Sequence, residues 1–111
     1  MRPQVAGGRR PKASRRKMVL DMNYQHVAEM RAAKKFKNCE VLNSYYVAKD
    51  GKYYWFEIIL VDKANPNILA DKDINWIAAP QHKGRVFRGL TSSAKKSRGL
   101  RNKGKGAEKA R

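Results

Sequence analysis

Residues 39 to 62 constrain this chain more than any other stretch: "CEVLNSYYVAKDGKYYWFEIILVD" sets two runs rich in β-branched and aromatic residues on either side of Asp50-Gly51. Asp-Gly suits the two-residue type I′ turn whose twist matches paired strands, so a β-hairpin is predicted. A two-residue turn pairs Lys49 with Lys52. That register puts Val41, Asn43, Tyr45 and Val47 on one face with Tyr54, Phe56, Ile58 and Leu60. Leu42, Ser44, Tyr46, Ala48, Tyr53, Trp55, Glu57, Ile59 and Val61 take the other. Both faces are largely apolar, so both are expected to be covered, one by a helix and the other by later chain or by a bound partner. Core packing is the expectation for Trp55, Phe56 and the isoleucines. Tyr45 and Tyr46, beside the polar pair Asn43-Ser44, suit stacking on a planar partner equally well.

A hairpin alone is marginal in water, and the flanking segments supply what packs on it. Before it, Asp21 or Asn23 can cap a helix to about Lys37, with Val27, Met30, Ala33 and Phe36 on one stripe and Arg31, Lys34 and Lys35 off it. His26 and Glu29 lie on the same helix, and a lone histidine there is expected to be a surface or hydrogen-bonded residue rather than a ligand. After the hairpin, Asn65-Pro66 reads as N-cap and first residue of a short helix, and Asp73 as the start of a turn carrying Ile74, Trp76 and Ile77 as a lid. Asp71 and Asp73 are assigned to capping, because nothing nearby completes a calcium loop. Pro80 is expected to end regular structure.

Charge divides the chain differently. Of 111 residues, 26 are Lys or Arg and 9 are Asp or Glu, a net charge of +17. Residues 1–17 carry seven cations and no acid, residues 18–81 balance eight against eight, and residues 82–111 carry eleven against Glu108. A neutral α/β (α+β) core over 18–81, flanked by a basic arm at 1–17 and a basic extension at 82–111, is therefore expected. Such ends neutralise phosphates with release of counterions, so nucleic acid is the leading partner class. No run approaches the length that spans a bilayer, the opening after Met1 has no apolar segment of a secretory leader, and Cys39 is the sole cysteine. Neither membrane, small-molecule substrate, metal nor other cofactor is expected, and a reducing cytoplasm fits. Two histidines and one cysteine far apart offer no catalytic grouping, so no enzyme is predicted.

Residues 88 to 100, "RGLTSSAKKSRGL", hold the densest candidate site. Thr91 or Ser92 can cap one helical turn through Lys95-Lys96, with Gly99 just past its end. Arg88, Lys95, Lys96, Arg98 and Arg101 can grip phosphates around it, while Gly89 and Gly99 let backbone approach a polyanion and Leu90 and Leu100 pin the turn. The RNA-binding set expected for the basic arm is Arg9, Arg10, Lys12, Arg15, Arg16 and Lys17. For the hairpin it is Asn43, Ser44 and Tyr45. For the extension it is His82, Lys83, Arg85, Arg88, Gly89, Thr91, Ser92, Lys95, Lys96, Ser97, Arg98 and Gly99. An architectural DNA-binding protein is the alternative, although no groove-reading helix or minor-groove wedge is evident.

Val41-Leu42-Asn43-Ser44-Tyr45, Asn75-Trp76-Ile77, Arg88-Gly89-Leu90-Thr91-Ser92 and Lys96-Ser97-Arg98-Gly99-Leu100, in that order, resemble the fifteen-e family of large-subunit ribosomal proteins. The resemblance runs from about Gly8 onward. It implies a structural constituent of the large subunit, an α/β domain with arms threaded through ribosomal RNA beside neighbouring ribosomal proteins in the cytoplasm, without catalysis. It also implies a longer N-terminal region than the one Met1 opens. Ser93 and Ala94 stand where the family usually has Gly, and Tyr46 where Trp is common; neither change removes a cation.

Overall fold

The computed structural model describes residues 7, 20–102, 104, 105, 107 and 108. Helix α1 (Tyr24–Lys35) leads into strands β1 (Cys39–Lys49) and β2 (Tyr54–Asp62), which form an antiparallel hairpin. Short helix α2 (Pro66–Ala70), two 3₁₀ turns (Asn75–Ala78 and Pro80–His82) and helix α3 (Ser92–Ser97) follow. The α+β architecture expected from the sequence is the one observed. Among the described residues no helix is long and apolar enough to cross a membrane.

The hairpin is present, but its turn is wider than predicted. Lys49 pairs with Tyr54, not Lys52. Asp50 is the cause: its Oδ1 accepts from the backbone N–H of Lys52 at 2.7 Å and of Tyr53 at 2.6 Å, and its own N–H donates to the Tyr53 carbonyl at 2.9 Å. Gly51 does not adopt the positive φ that a type I′ turn demands. Irregularities between Val41 and Asn43 and between Tyr46 and Ala48 then absorb two extra residues of β1, so pairing returns to the predicted register at Val41↔Leu60 and Glu40↔Val61. Between those points the faces change. Ser44 and Tyr46 now oppose Ile58 and Phe56, while Tyr45 opposes Glu57 and its hydroxyl donates to that carboxylate.

α1 covers one face of the hairpin. Ala33, Val41 and Val86 form the buried cluster, with Met30, Ile58 and Leu60 packed against it. The outer face is less covered than its composition suggested: Trp55, Ile59 and Val47 are exposed, so Ile58 packs against the core cluster and Phe56 is half-buried, while core packing does not hold for Trp55 or Ile59. α1 also ends earlier than predicted. Phe36 is its C-cap and is exposed, and the helix buries His26 and Glu29 beside Ala33 rather than a purely apolar stripe.

Those two polar residues sew the fold together. Glu29, with no exposed surface, accepts from the Ser44 hydroxyl of β1 at 2.5 Å and from the Thr91 hydroxyl ahead of α3 at 2.7 Å. Gln25 donates to the Ser44 hydroxyl and carbonyl at 2.7 and 3.1 Å. His26 Nε2 lies 2.9 Å from the Val86 carbonyl, which can only accept, so that nitrogen carries the proton. Asn23 caps α1 through its side-chain oxygen at His26 N, donates its amide to the Ser93 carbonyl, and donates its own backbone N–H to the Ser97 hydroxyl oxygen. Glu40, also buried, accepts from Lys63 and from Gly84 N, each at 3.1 Å. The stretch from Gly84 to Ser97, strongly basic by composition, is thus held to the charge-balanced middle by two of its carboxylates and supplies Val86 and Ala94 to the interior.

The connecting elements follow their local signals with two differences. Asn65 caps α2 with Pro66 at its first turn, as read. The turn at Asn75 is preceded by Ile74 without a side-chain cap, and Asp73 instead gives its N–H to Asp71 Oδ1 in an Asx turn. Pro80 opens a 3₁₀ turn rather than ending regular structure, since its fixed φ suits a first helical position. Ile77 is fully buried while Trp76 stays partly exposed.

Removing the Glu29 carboxylate strands two buried hydroxyls, each costing about 1–3 kcal/mol when unsatisfied. Glu29→Ala is expected to lower unfolding free energy by on the order of 3 kcal/mol in urea denaturation. Lys34→Ala, on the exposed side of the same helix, is expected to change it by less than about 0.5 kcal/mol. Equal effects would contradict the structural role assigned to Glu29.

Candidate nucleic-acid interface

The chain between His82 and Leu100 is built on two Arg-Gly-Leu corners. At the first, Gly89 adopts φ +73° and its carbonyl accepts from the Arg98 guanidinium at 3.1 Å. The preceding Arg88 folds back, donating through Nη2 to the Gln81 carbonyl at 2.6 Å and to the Lys83 carbonyl at 2.8 Å. At the second corner, Gly99 has the same φ of +73° and follows α3 as a left-handed C′ residue. Gly99 N donates to the Lys96 carbonyl and Leu100 N to the Lys95 carbonyl, the pair of bonds that closes a Schellman motif. Thr91 begins the helix, its hydroxyl oxygen accepting from Ala94 N while its proton goes to Glu29. The cap and the C′ glycine stand where the sequence placed them.

This geometry sorts the expected site residues. Lys83, Arg88, Lys95, Lys96 and Arg98 are exposed, as are Asn43 and Tyr45. His82, Arg85, Ser92, Ser97 and Gly99 are half-buried. Ser44, Gly89 and Thr91 are buried, with both hydroxyls committed to Glu29. Arg9, Arg10, Lys12, Arg15, Arg16 and Lys17 lie outside the described residues. Arg88 and Arg98, though exposed, also bond backbone carbonyls, so they brace the corners in addition to the phosphate contacts the sequence suggests for them.

Both strands, the turn at Asn75 and α3 meet at an open groove of about 610 Å³ on the outer face of the hairpin. Leu42, Ile59, Leu90 and Leu100 give it an apolar floor; Asn43, Trp76, Arg85, Ser92, Lys95 and Arg101 bring polar and cationic groups to it. Among the described residues three cations and no carboxylate line it. Arg85 lies over the Trp76 ring at 4.8 Å, and Trp76 is fixed by its Nε1–H donating to the Asp73 carbonyl at 3.0 Å. Arg85 also donates to His82 Nδ1 at 3.0 Å and to the Leu90 carbonyl at 3.2 Å, which makes His82 a packing partner of the groove wall. Burial pushes the Arg85 guanidinium below its ordinary pKa; Glu40 and Glu29 oppose that shift and Arg88 adds to it. Arg101 donates to the Ser92 hydroxyl. The sequence offered no signal that would set Trp76 against Arg85, because the pairing depends on how the 3₁₀ turns fold back over the hairpin.

The sequence model of one protein family, described as Ribosomal L15, matches residues 1–111. The chain belongs to that family. It is 54% identical over 110 residues to the large ribosomal subunit protein eL15 of Nanoarchaeum equitans, covering 99% of this chain and 58% of that protein. It is 50% identical over 111 residues to the protein of the same name from Picrophilus torridus, covering 99% of this chain and 57% of that one. The chain thus spans somewhat over half the length of these family members.

Gly89 separates conformational strain from crowding. A Cβ there would fall 2.7 Å from Arg98 Cδ, whereas at Gly84, with φ +63°, it would meet nothing nearer than 3.9 Å. Both substitutions to alanine incur the left-handed penalty of about 1–2 kcal/mol. Gly89→Ala is expected to cost more than Gly84→Ala in urea unfolding, because it also displaces Arg98 from the Gly89 carbonyl. Equal costs would show that this corner does not depend on close approach of the two segments.

Proposed function

We propose that this chain is a structural constituent of the large ribosomal subunit that binds folded ribosomal RNA through the outer-face groove and the cations around it. The observation that carries the reading is the groove itself: Arg85, Lys95 and Arg101 around Trp76 with no lining carboxylate among the described residues, with Lys96 exposed next to Lys95 on α3. Membership of a family whose relatives are named large ribosomal subunit proteins supports the same reading and lends nothing to an architectural DNA-binding role. Binding rests on counterion release from phosphates, with the groove supplying shape and a rigid aromatic wall. Arg9, Arg10, Lys12, Arg15, Arg16 and Lys17 add a second basic segment to the proposal, and neighbouring ribosomal proteins complete the set of partners. The place of action is then the cytoplasmic ribosome.

Lysines and arginines divide the work. Arg85, Arg88 and Arg98 are already oriented by carbonyl acceptors, so they present fixed charge at small entropic cost. Lys95 and Lys96 stand in the last turn of α3, where positive charge complements the helix dipole and the ammonium groups remain free to follow phosphates.

Joint replacement of Lys95, Lys96 and Arg101 by Ser is expected to weaken binding to large-subunit ribosomal RNA. It should also lower the magnitude of the slope of log K against log salt by about 2–3, at about 0.7–0.9 for each phosphate no longer neutralised. Filter binding over a salt series measures both quantities. An unchanged slope would exclude this face as the phosphate-binding surface.

A further inference from the structure

A second groove lies on the opposite face of the hairpin, between α1 and the strand ends near the turn, and none of its residues belongs to the site described above. Tyr24 and Arg31 border it from the helix, and Lys52, Tyr53, Tyr54 and Phe56 from the hairpin, around about 500 Å³ of open space. That volume falls within the range of small-ligand pockets. Tyr24 and Tyr54 approach to 4.9 Å between ring centroids, and the Tyr54 and Phe56 rings are parallel to within 8°. Tyr24 is 54% exposed and Tyr54 48%. Exposed aromatic side chains gathered side by side, as here, form the contiguous kind of apolar surface that marks an interaction site.

Charge identifies what fits. Among the described residues the lining holds Arg31 and Lys52 and no carboxylate. The nearby Asp50 faces the turn, where its Oδ1 accepts two backbone N–H groups, and Lys49 adds a third cation 5.8 Å from the centre of the Tyr54 ring. Aromatic faces flanked by cations suit a base joined to a phosphate, the chemistry of unpaired RNA, because every base offers a π face and every linkage an anion. An acidic protein segment would satisfy the cations but would leave the ring faces without a planar partner.

We propose that this groove holds an unpaired nucleotide of RNA, its base against Tyr54 and Tyr24 and its phosphate between Arg31 and Lys52. The inference rests on the ribosomal-RNA reading for the identity of the polymer but uses a different surface, and the two fail separately. The probes are a short oligouridylate and a blunt RNA duplex of equal length, titrated into the full chain at one ionic strength. Tyr24→Leu/Tyr54→Leu is expected to weaken oligouridylate binding by about ten-fold, the loss of one stacked base, while leaving duplex binding unchanged. Arg31→Gln/Lys52→Gln, on exposed positions that do not support the core, is expected to reduce the salt slope for the oligouridylate alone. Unchanged oligouridylate affinity in both variants, or equal losses for the single strand and the duplex, would overturn the proposal. So would a structure with an acidic protein segment seated in the groove. Loss of duplex binding on replacing Lys95, Lys96 and Arg101 bears on the outer face only.

Discussion

One buried carboxylate holds the molecule in register. Glu29 projects from α1 into the interior and accepts hydroxyl protons from Ser44 of β1 and Thr91 ahead of α3, so helix, hairpin and C-terminal segment converge on two oxygen atoms. A fully buried acid is costly to desolvate and persists only when its oxygens are satisfied, as these are. The geometry is also specific. Thr91 uses its proton for Glu29 and its lone pair for Ala94 N, so the start of α3 is fixed relative to α1 by the same atom that caps it. Asn23 repeats the device in the other direction, capping α1 while donating to Ser93 of α3.

The basic segment follows from that anchoring. Composition separates a neutral middle from a cationic end, yet Gly84, Val86, Thr91 and Ala94 are bound into the interior by hydrogen bonds and apolar contact. Charge density along a sequence reports where cations are abundant; it does not report which short residues between them turn inward. The outcome is a rigid platform from which Lys95, Lys96 and Arg101 project, in place of an unsupported chain. For a protein proposed to fit folded RNA, fixing cations before contact reduces the ordering entropy that binding would otherwise incur.

Much of this is legible in the sequence, and the exceptions share a cause. The hairpin, the caps at Asn23, Asn65 and Thr91, and Gly99 as the C′ residue all depend on neighbours within a few positions, which a sequence displays directly. The turn departs from expectation because Asp50 competes for the backbone: its carboxylate captures two N–H groups and widens the loop, against the preference of Asp-Gly for a tight turn. The stripe on α1 departs because a polar residue is assigned to solvent unless its distant partner is known, and those of His26 and Glu29 lie 60 and 62 residues away. That Ser44 and Thr91 turn inward to give their hydroxyl protons to Glu29 is hidden in the sequence for the same reason. The Trp76–Arg85 wall of the groove has no sequence signal, being a product of tertiary folding.

The proposed binding of ribosomal RNA rests on family membership and on the groove lined by cations without carboxylates among the described residues. The surface responsible can be read by lysine acetylation footprinting of the chain, free and within large ribosomal subunits. Lys95 and Lys96, both exposed in the chain alone, are predicted to become protected on incorporation and to recover their reactivity when the RNA is digested. Reaction of both lysines in the intact subunit at the rate of the free chain would contradict the assignment of this face to RNA.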